Sequence, residues 1–143
     1  MNIFDALSLI KKGGNKITKV RRETINIVFN IKKPLSVPQI LELLKEKSLR
    51  INKSTLYREI NFLLGKNIIS QVKFDAYITY YEAAHLAHHH HLVCDVCGDI
   101  QEVASQKLET SIRKVVQEVL SKNFYVKRHN LEFFGECKNC ITK

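Results

Sequence analysis

The segment Tyr81–Gly98, YEAAHLAHHHHLVCDVCG, limits what this chain can fold into more than any other stretch. Within eighteen residues it holds Glu82, five of the six histidines and a Cys-x-x-Cys, Cys94 and Cys97. A second Cys-x-x-Cys, Cys137 and Cys140, stands near the C-terminus, shortly after the sixth histidine, His129. Each knuckle presents two sulfurs to one ion, and four thiolates make a closed tetrahedral site of the structural zinc kind. With no position open to a substrate, such a site holds a fold together rather than catalysing. Two disulfides are the competing arrangement. Met1–Ile10 carries Asp5 in an amphipathic pattern and no small-residue cleavage site, so a cytoplasmic chain is expected rather than a secreted one. Thiols stay reduced in that compartment.

The histidine run is internal and leads into apolar strand residues, unlike a purification tag. If Leu92 and Val93 continue a strand from it, alternation sends His89 and His91 to one face and His88 and His90 to the other. Each face then begins a site of its own. Nitrogen and oxygen ligands of this kind suit Zn2+, Fe2+, Mn2+, Ni2+ or Co2+. The alternative is a set of exposed histidines that bind nothing.

Charge divides the chain at the same place as the ligands. Residues 1–82 hold fifteen Lys/Arg against seven Asp/Glu, a net of +8, and residues 83–143 hold eight against seven, a net of +1, summing to the overall +9. All cysteines and histidines lie in the second part. The first part has the electrostatic footprint of a polyanion binder, and the second part has the ligands. Lysine richness that serves only solubility is the alternative. No apolar run approaches the roughly eighteen residues that span a bilayer, so no membrane partner is expected.

The first part reads as helices. Ile3, Leu7 and Ile10 mark one face of a helix that stops at Gly13-Gly14. Thr18 caps a second, with Val20, Thr24, Ile27, Val28 and Ile31 at helical spacing and Pro34 as its terminator. Ser36 and Pro38 open a third, burying Val37, Ile40, Leu41 and Leu44. A fourth runs from Asn52 to Leu64 with Leu56, Ile60, Leu63 and Leu64 inward. Ser54, Thr55, Tyr57, Arg58 and Asn61 fall largely outside that stripe. Hydroxyls, a phenol, a guanidinium and an amide suit base edges in double-stranded DNA, while Lys53 and the helix N-terminus suit phosphate. Asn67 closes the helix, and Ile68–Lys73 and Tyr77–Glu82 form a hairpin through Phe74-Asp75-Ala76. Helices followed by such a wing predict a winged helix-turn-helix over residues 1–82. A helical domain whose polar face merely meets water is the alternative.

Residues 83–87 are small in character and read as a hinge. Residues 88–143 follow, with strands at Leu92-Val93 and Ile100–Val103 around the first knuckle. Leu108, Ile112, Val115, Val116, Val119 and Leu120 define a strongly amphipathic helix, and Tyr125–Phe134 a further strand. The expected class is α+β, a winged helix followed by a small α/β domain. So few elements make a thin core, which motivates both a metal and a homodimer.

In order along the chain these residues resemble the ferric uptake regulator family. The shared motifs are Gly14 with Lys16, Thr18 and Arg21; Ser54-Thr55-Leu56-Tyr57-Arg58; Tyr81-Glu82; His88–His91 with Cys94–Gly98; and Gly135 with Cys137 and Cys140. The resemblance implies a metal-dependent transcriptional regulator, a repressor that binds palindromic operators as a homodimer, and not an enzyme. It implies Tyr57 and Arg58 as DNA contacts, with Lys16 and Arg21 at phosphates. It implies structural Zn2+ on the four cysteines and a regulatory site of His88, His90, Glu109 and His129 in the dimerisation domain, for Zn2+ or Fe2+. A second regulatory site at the hinge would use Glu82, His89 and His91. Its usual fourth ligand is a histidine before the third helix, where this chain has Pro34, so bridging would fall to Glu82, Asp75, His85 or a water. His90 stands where many iron-sensing members have Asp.

Other readings remain at this point. A peroxide-responsive member of the family would use Asp where Glu109 stands. A zinc enzyme is disfavoured because no His-Glu-x-x-His occurs and no His-x-Glu pairs with Pro-Cys-x-x-Cys. A zinc-structural interaction module would bind DNA incidentally, with salt sensitivity but no operator preference.

Overall fold

Asn2 opens the chain's first helix, α1 (Ile3–Lys12), through a reciprocal cap. Its side chain accepts from the Asp5 N–H and the Asp5 carboxylate accepts from the Asn2 N–H, both at 2.9 Å. Gly14 takes a left-handed turn at φ +72° just beyond α1, where a Cβ would be strained. Thr18 caps α2 (Lys19–Asn30), its hydroxyl accepting from the Arg21 N–H at 3.1 Å. The helix ends at Asn30, before Pro34 can terminate it. The chain has instead turned toward a two-residue strand, β1 (Leu35–Ser36), which local sequence did not announce. Ser36 then starts α3 (Val37–Glu46), with the Gln39 side chain accepting from the Ser36 N–H at 2.8 Å. Asn52 caps α4 (Lys53–Gly65) by accepting from the Thr55 N–H at 2.8 Å. Asn67 follows α4 in the left-handed region at φ 52°.

In the computed structural model every residue is described except 75, 76, 87, 121–123, 128 and 143. The chain divides into two compact units, residues 1–87 and 88–143. In the first, β2 (Ile69–Lys73) and β3 (Thr79–Ala83) pair antiparallel, and β1 joins the other edge of β3. The wing strands start later than periodicity suggests, since Tyr77 and Ile78 precede β3 and Ala83 completes it. The register explains the shift: Ile69 pairs with Ala83, placing both buried side chains on the core face. Asp75 and Ala76 of the expected wing link lie outside the described residues.

Helices and sheet enclose one apolar core, including Ala6, Ile10, Ile25, Ile40, Leu44, Leu56, Ile60 and Leu63, all fully buried. Burying each Leu or Ile contributes about 1.5–3 kcal/mol. Leu41 and Leu64, expected inside, are half-buried and pack against that core.

The second unit is a three-stranded sheet with one long helix. Its elements are β4 (His90–Cys94), β5 (Ile100–Val103), α5 (Gln106–Val119), β6 (Glu132–Gly135) and the short α6 (Lys138–Ile141). β4 lies between β5, antiparallel, and β6, parallel. The expected strand Tyr125–Phe134 is much shorter than its sequence suggested, because ladder pairing lasts only where β6 runs beside the five-residue β4. Among the described residues of this unit only His90, His91, Cys94 and Ile100 are buried. Three of those four are candidate ligands, which is how thin the apolar core is. No residue of α5 is buried, and Val115 and Val119 of its apolar stripe are 56% and 76% exposed. No described helix is long and apolar enough to cross a membrane.

Candidate metal centres and nucleic-acid interface

The parallel pairing of β4 with β6 builds two clusters, one past each end of the ladder. Cys94 is in register with Gly135, so the first knuckle, leaving β4, meets the second, which follows β6. Gly98 closes the first knuckle at φ +69° and donates its N–H to the Cys94 carbonyl at 2.9 Å. Cys137 caps α6, which carries Cys140 one turn on. All four cysteines are free thiols, and their sulfurs lie within 4.8 Å of one another. Cys97 and Cys137 sulfurs are 3.7 Å apart and those of Cys137 and Cys140 3.6 Å. Disulfides are therefore not the arrangement. A tetrahedral ion with metal–sulfur bonds of about 2.3 Å requires sulfurs about 3.8 Å apart, so the set fits zinc.

The sulfurs are also electrostatically prepared. The backbone N–H of Cys137 donates to the Cys94 sulfur at 3.3 Å. That bond, with another from Cys97, lowers the Cys94 thiol from an ordinary 9.0 to about 6. Cys140, hydrogen-bonded to Cys137 and partly desolvated beside the other thiols, is pushed up instead. Four sulfurs this close cannot all ionise without a cation.

At the other end of β4, the register that pairs His91 with Glu132 brings His88 level with His129. Their Nε2 atoms are 3.1 Å apart. His90, on the same strand face as His88 and only 2% exposed, bonds Glu109 Oε1 through Nε2 at 2.6 Å. Glu109 also lies 3.3 Å from His88 Nε2 and 3.5 Å from His129 Nε2. Ser105 caps α5 and so fixes where Glu109, in the first turn, points. Burial pulls the Glu109 carboxyl up, but the hydrogen bond from His90 and the charges of His88 and His129 outweigh it and hold the group below its ordinary value. Three Nε2 atoms and a carboxylate converging on one point, at separations near the roughly 3.3 Å edge of a tetrahedron with bonds of about 2.0 Å, fit a divalent ion.

His89 and His91 occupy the opposite face, their rings edge-on with centroids 4.8 Å apart. Glu82, expected with them, belongs to the first unit, on β3 opposite Ser70. In that unit Leu35 pairs with Tyr81 and Ser36 with Tyr80. Continuing that register sets Pro34 against Glu82, and a proline there offers no side-chain ligand atom. His85 is engaged elsewhere, its Nε2 3.0 Å from the Asn67 carbonyl oxygen. Asp75 lies outside the described residues.

On α4 the expected reading face is open. Lys53, Ser54, Tyr57, Arg58 and Asn61 are exposed and Thr55 half-buried, while Leu56, Ile60 and Leu63 anchor the other side. Lys16 is exposed on the connection between α1 and α2. Arg21, expected at a phosphate, faces Glu59 within the first unit. Its guanidinium is turned into the protein and held by Glu59 of α4 at 2.8 and 3.1 Å.

A profile of the ferric uptake regulator family matches residues 12–134 of this fold. The chain belongs to the ferric uptake regulator family. Members of the family are metal-responsive DNA-binding transcription regulators, not enzymes. The ferric uptake regulation protein of Helicobacter pylori is 31% identical over 131 residues, covering 92% of this chain and 85% of its own length. That of Bacillus subtilis is 32% identical over 136 residues, covering 90% and 87%. The solved structure of the Helicobacter pylori ferric uptake regulator, described as having three functional metal-binding sites, superposes with a TM-score of 0.81 at 31% identity, covering 97% of this chain and 91% of that one. Two features of this family member had no local sequence signal. One is the Arg21–Glu59 pair, between residues 38 apart; the other is the bond from His85 to Asn67.

Proposed function

We propose that this chain is a metal-dependent repressor of metal-homeostasis genes, working in the cytoplasm as a homodimer on palindromic operators. The observation that carries the reading is the meeting of three imidazole Nε2 atoms and the Glu109 carboxylate beside a separate four-thiol cluster. Structural Zn2+ on Cys94, Cys97, Cys137 and Cys140 holds the small second unit together. A regulatory Zn2+ or Fe2+, with Mn2+, Ni2+ and Co2+ as further occupants, binds His88, His90, Glu109 and His129. DNA is contacted through Lys16, Lys53, Ser54, Thr55, Tyr57 and Arg58. Residues 1–82 form the DNA-binding domain, 83–87 the hinge and 88–143 the dimerisation domain. A hinge site of Glu82, His89 and His91 is short of a ligand because Pro34 stands beside Glu82, which moves sensing toward the His88 site.

Elemental analysis of protein purified without chelator, paired with DNA binding under each metal, tests the reading. The expected result is Zn2+ on the thiols and DNA binding that requires a second ion and is lost in His129→Ala. Metal-dependent binding unchanged in both Glu82→Ala and His129→Ala would sink it.

A further inference from the structure

The first unit encloses a charged cluster that neither the ligand clusters nor the open face of α4 uses. Arg21, in the first turn of α2, makes a two-pronged pair with Glu59: Nε donates to Oε2 at 2.8 Å and Nη2 to Oε1 at 3.1 Å. Nη1 donates to the Lys16 carbonyl at 2.6 Å, and the guanidinium carbon sits 3.7 Å above the Phe62 ring. The Arg21 and Glu59 side chains are only 12% and 15% exposed. Three of the five guanidinium N–H donors are taken up inside the protein in this way, and the side chain is only 12% exposed, so its orientation is set by the fold.

A buried ion pair adds little net stability, because desolvation offsets most of the Coulomb gain and apolar packing would serve the fold as well. What this cluster adds is geometry. Glu59 follows Arg58 directly, and Phe62 lies one turn on, so both hold α4 against rotation about its axis. A roll of about 10° would carry a side-chain tip at a radius of about 6 Å by about 1 Å. Bonds to base edges tolerate only a few tenths of an ångström. The bond to the Lys16 carbonyl fixes the α1–α2 connection to the same guanidinium.

We infer that Arg21 is a positioning residue for DNA recognition. Through Glu59, Phe62 and the Lys16 carbonyl it sets the roll of α4 and the place of Lys16, so that Tyr57, Arg58 and Lys16 meet one duplex, and it touches no phosphate itself. The inference rests on the reading of α4 as the DNA-reading helix. Acidic Glu59 thereby becomes necessary for binding a polyanion, the reverse of what its charge alone predicts.

The test compares wild type, Arg21→Met, Glu59→Gln and the double variant. The probe is a duplex of about 30 base pairs, long enough for two half-sites one turn apart, selected from a randomised pool by the wild-type chain in manganese buffer. Affinity is measured across a salt series, far below the lowest melting temperature found by circular dichroism. Glu59→Gln keeps size and one acceptor, so it stays folded if Arg21→Met does not. Both single variants are expected to lose about tenfold, the scale of one base contact, with less than additive loss in the double variant and an unchanged salt slope. Glu59→Gln binding equal to or tighter than wild type overturns the inference. So does an Arg21→Met salt slope shallower by about 0.9, the signature of one lost phosphate contact. A fall in melting temperature without loss of affinity also overturns it. A wild-type chain that selects no duplex overturns both this inference and the regulator reading.

Discussion

His88 and His129 stand 3.1 Å apart, Nε2 to Nε2, although 41 residues separate them in the chain. The parallel register of β4 and β6 makes them neighbours, and Glu109 closes the cluster from α5. His129→Ala should therefore weaken binding of the regulatory ion by about a hundredfold or more, since even outer partners of metal ligands are worth 10–100-fold. Competition against a chromophoric chelator measures it. Unchanged affinity would place the ion elsewhere.

The four-thiol cluster makes a different prediction. Removing its metal with a strong chelator, or substituting Cys97→Ser, should unfold residues 88–143, whose buried side chains are few. Structural zinc in small domains supplies about 10–16 kcal/mol of apparent binding energy near neutral pH. Circular dichroism should show loss of α5, with one fewer zinc per chain. Retained α5 signal in the zinc-free protein would contradict a structural role.

Acidity should act on the metal-free protein through Cys94. Its thiol falls from an ordinary 9.0 to about 6 in the folded chain, so between those values the unfolded state binds the extra proton. Stability from this group is complete above about 9 and is lost as pH falls through about 6. Cys140, pushed the other way, subtracts stability above its ordinary value. Denaturant midpoints of wild type and Cys94→Ser across this range check the sign: the wild-type advantage should shrink toward acid.

On α5, Val115 and Val119 of the apolar stripe are exposed, while Leu108, Ile112 and Val116 are half-buried. Regulators of this family bind DNA as dimers, and burying Val115 and Val119 against a second copy would supply the missing core. Val119→Lys should leave the single chain folded, because that side chain is 76% exposed, and should shift sedimentation from dimer to monomer. A variant that stays dimeric would move the interface off this helix.

On α4, Arg58→Ala should cost about 1–3 kcal/mol of DNA affinity and relax sequence preference, whereas Lys16→Ala should weaken all sequences alike and reduce the salt slope by about one. Binding of the two variants to the selected duplex and to a scrambled one separates base reading from phosphate contact.

Much of the fold was legible locally. Thr18, Ser36 and Asn52 open their helices where the sequence placed the starts, and apolar spacing marked the buried faces of α3 and α4, whereas the caps at Asn2 and Ser105 emerged only from the structure. β1 was not legible, because two residues carry no periodicity and Leu35–Ser36 is a strand only by virtue of β3 beside it. The long strand expected over Tyr125–Phe134 failed for the same reason: β-propensity extends only as far as a partner does.

The ligand clusters and the charged cluster divide the same way. Cys-x-x-Cys spacing and strand alternation are local, so the sequence alone determined that the thiols act together and that His88 and His90 share a face opposite His89 and His91. Joining His88 to His129 needed the parallel register, a relation between distant segments that no local pattern encodes. The place of Arg21 was beyond sequence for a chemical reason. A guanidinium is equally complementary to a phosphate and to a carboxylate, and only the packing of α2 against α4 decided that its partner is Glu59.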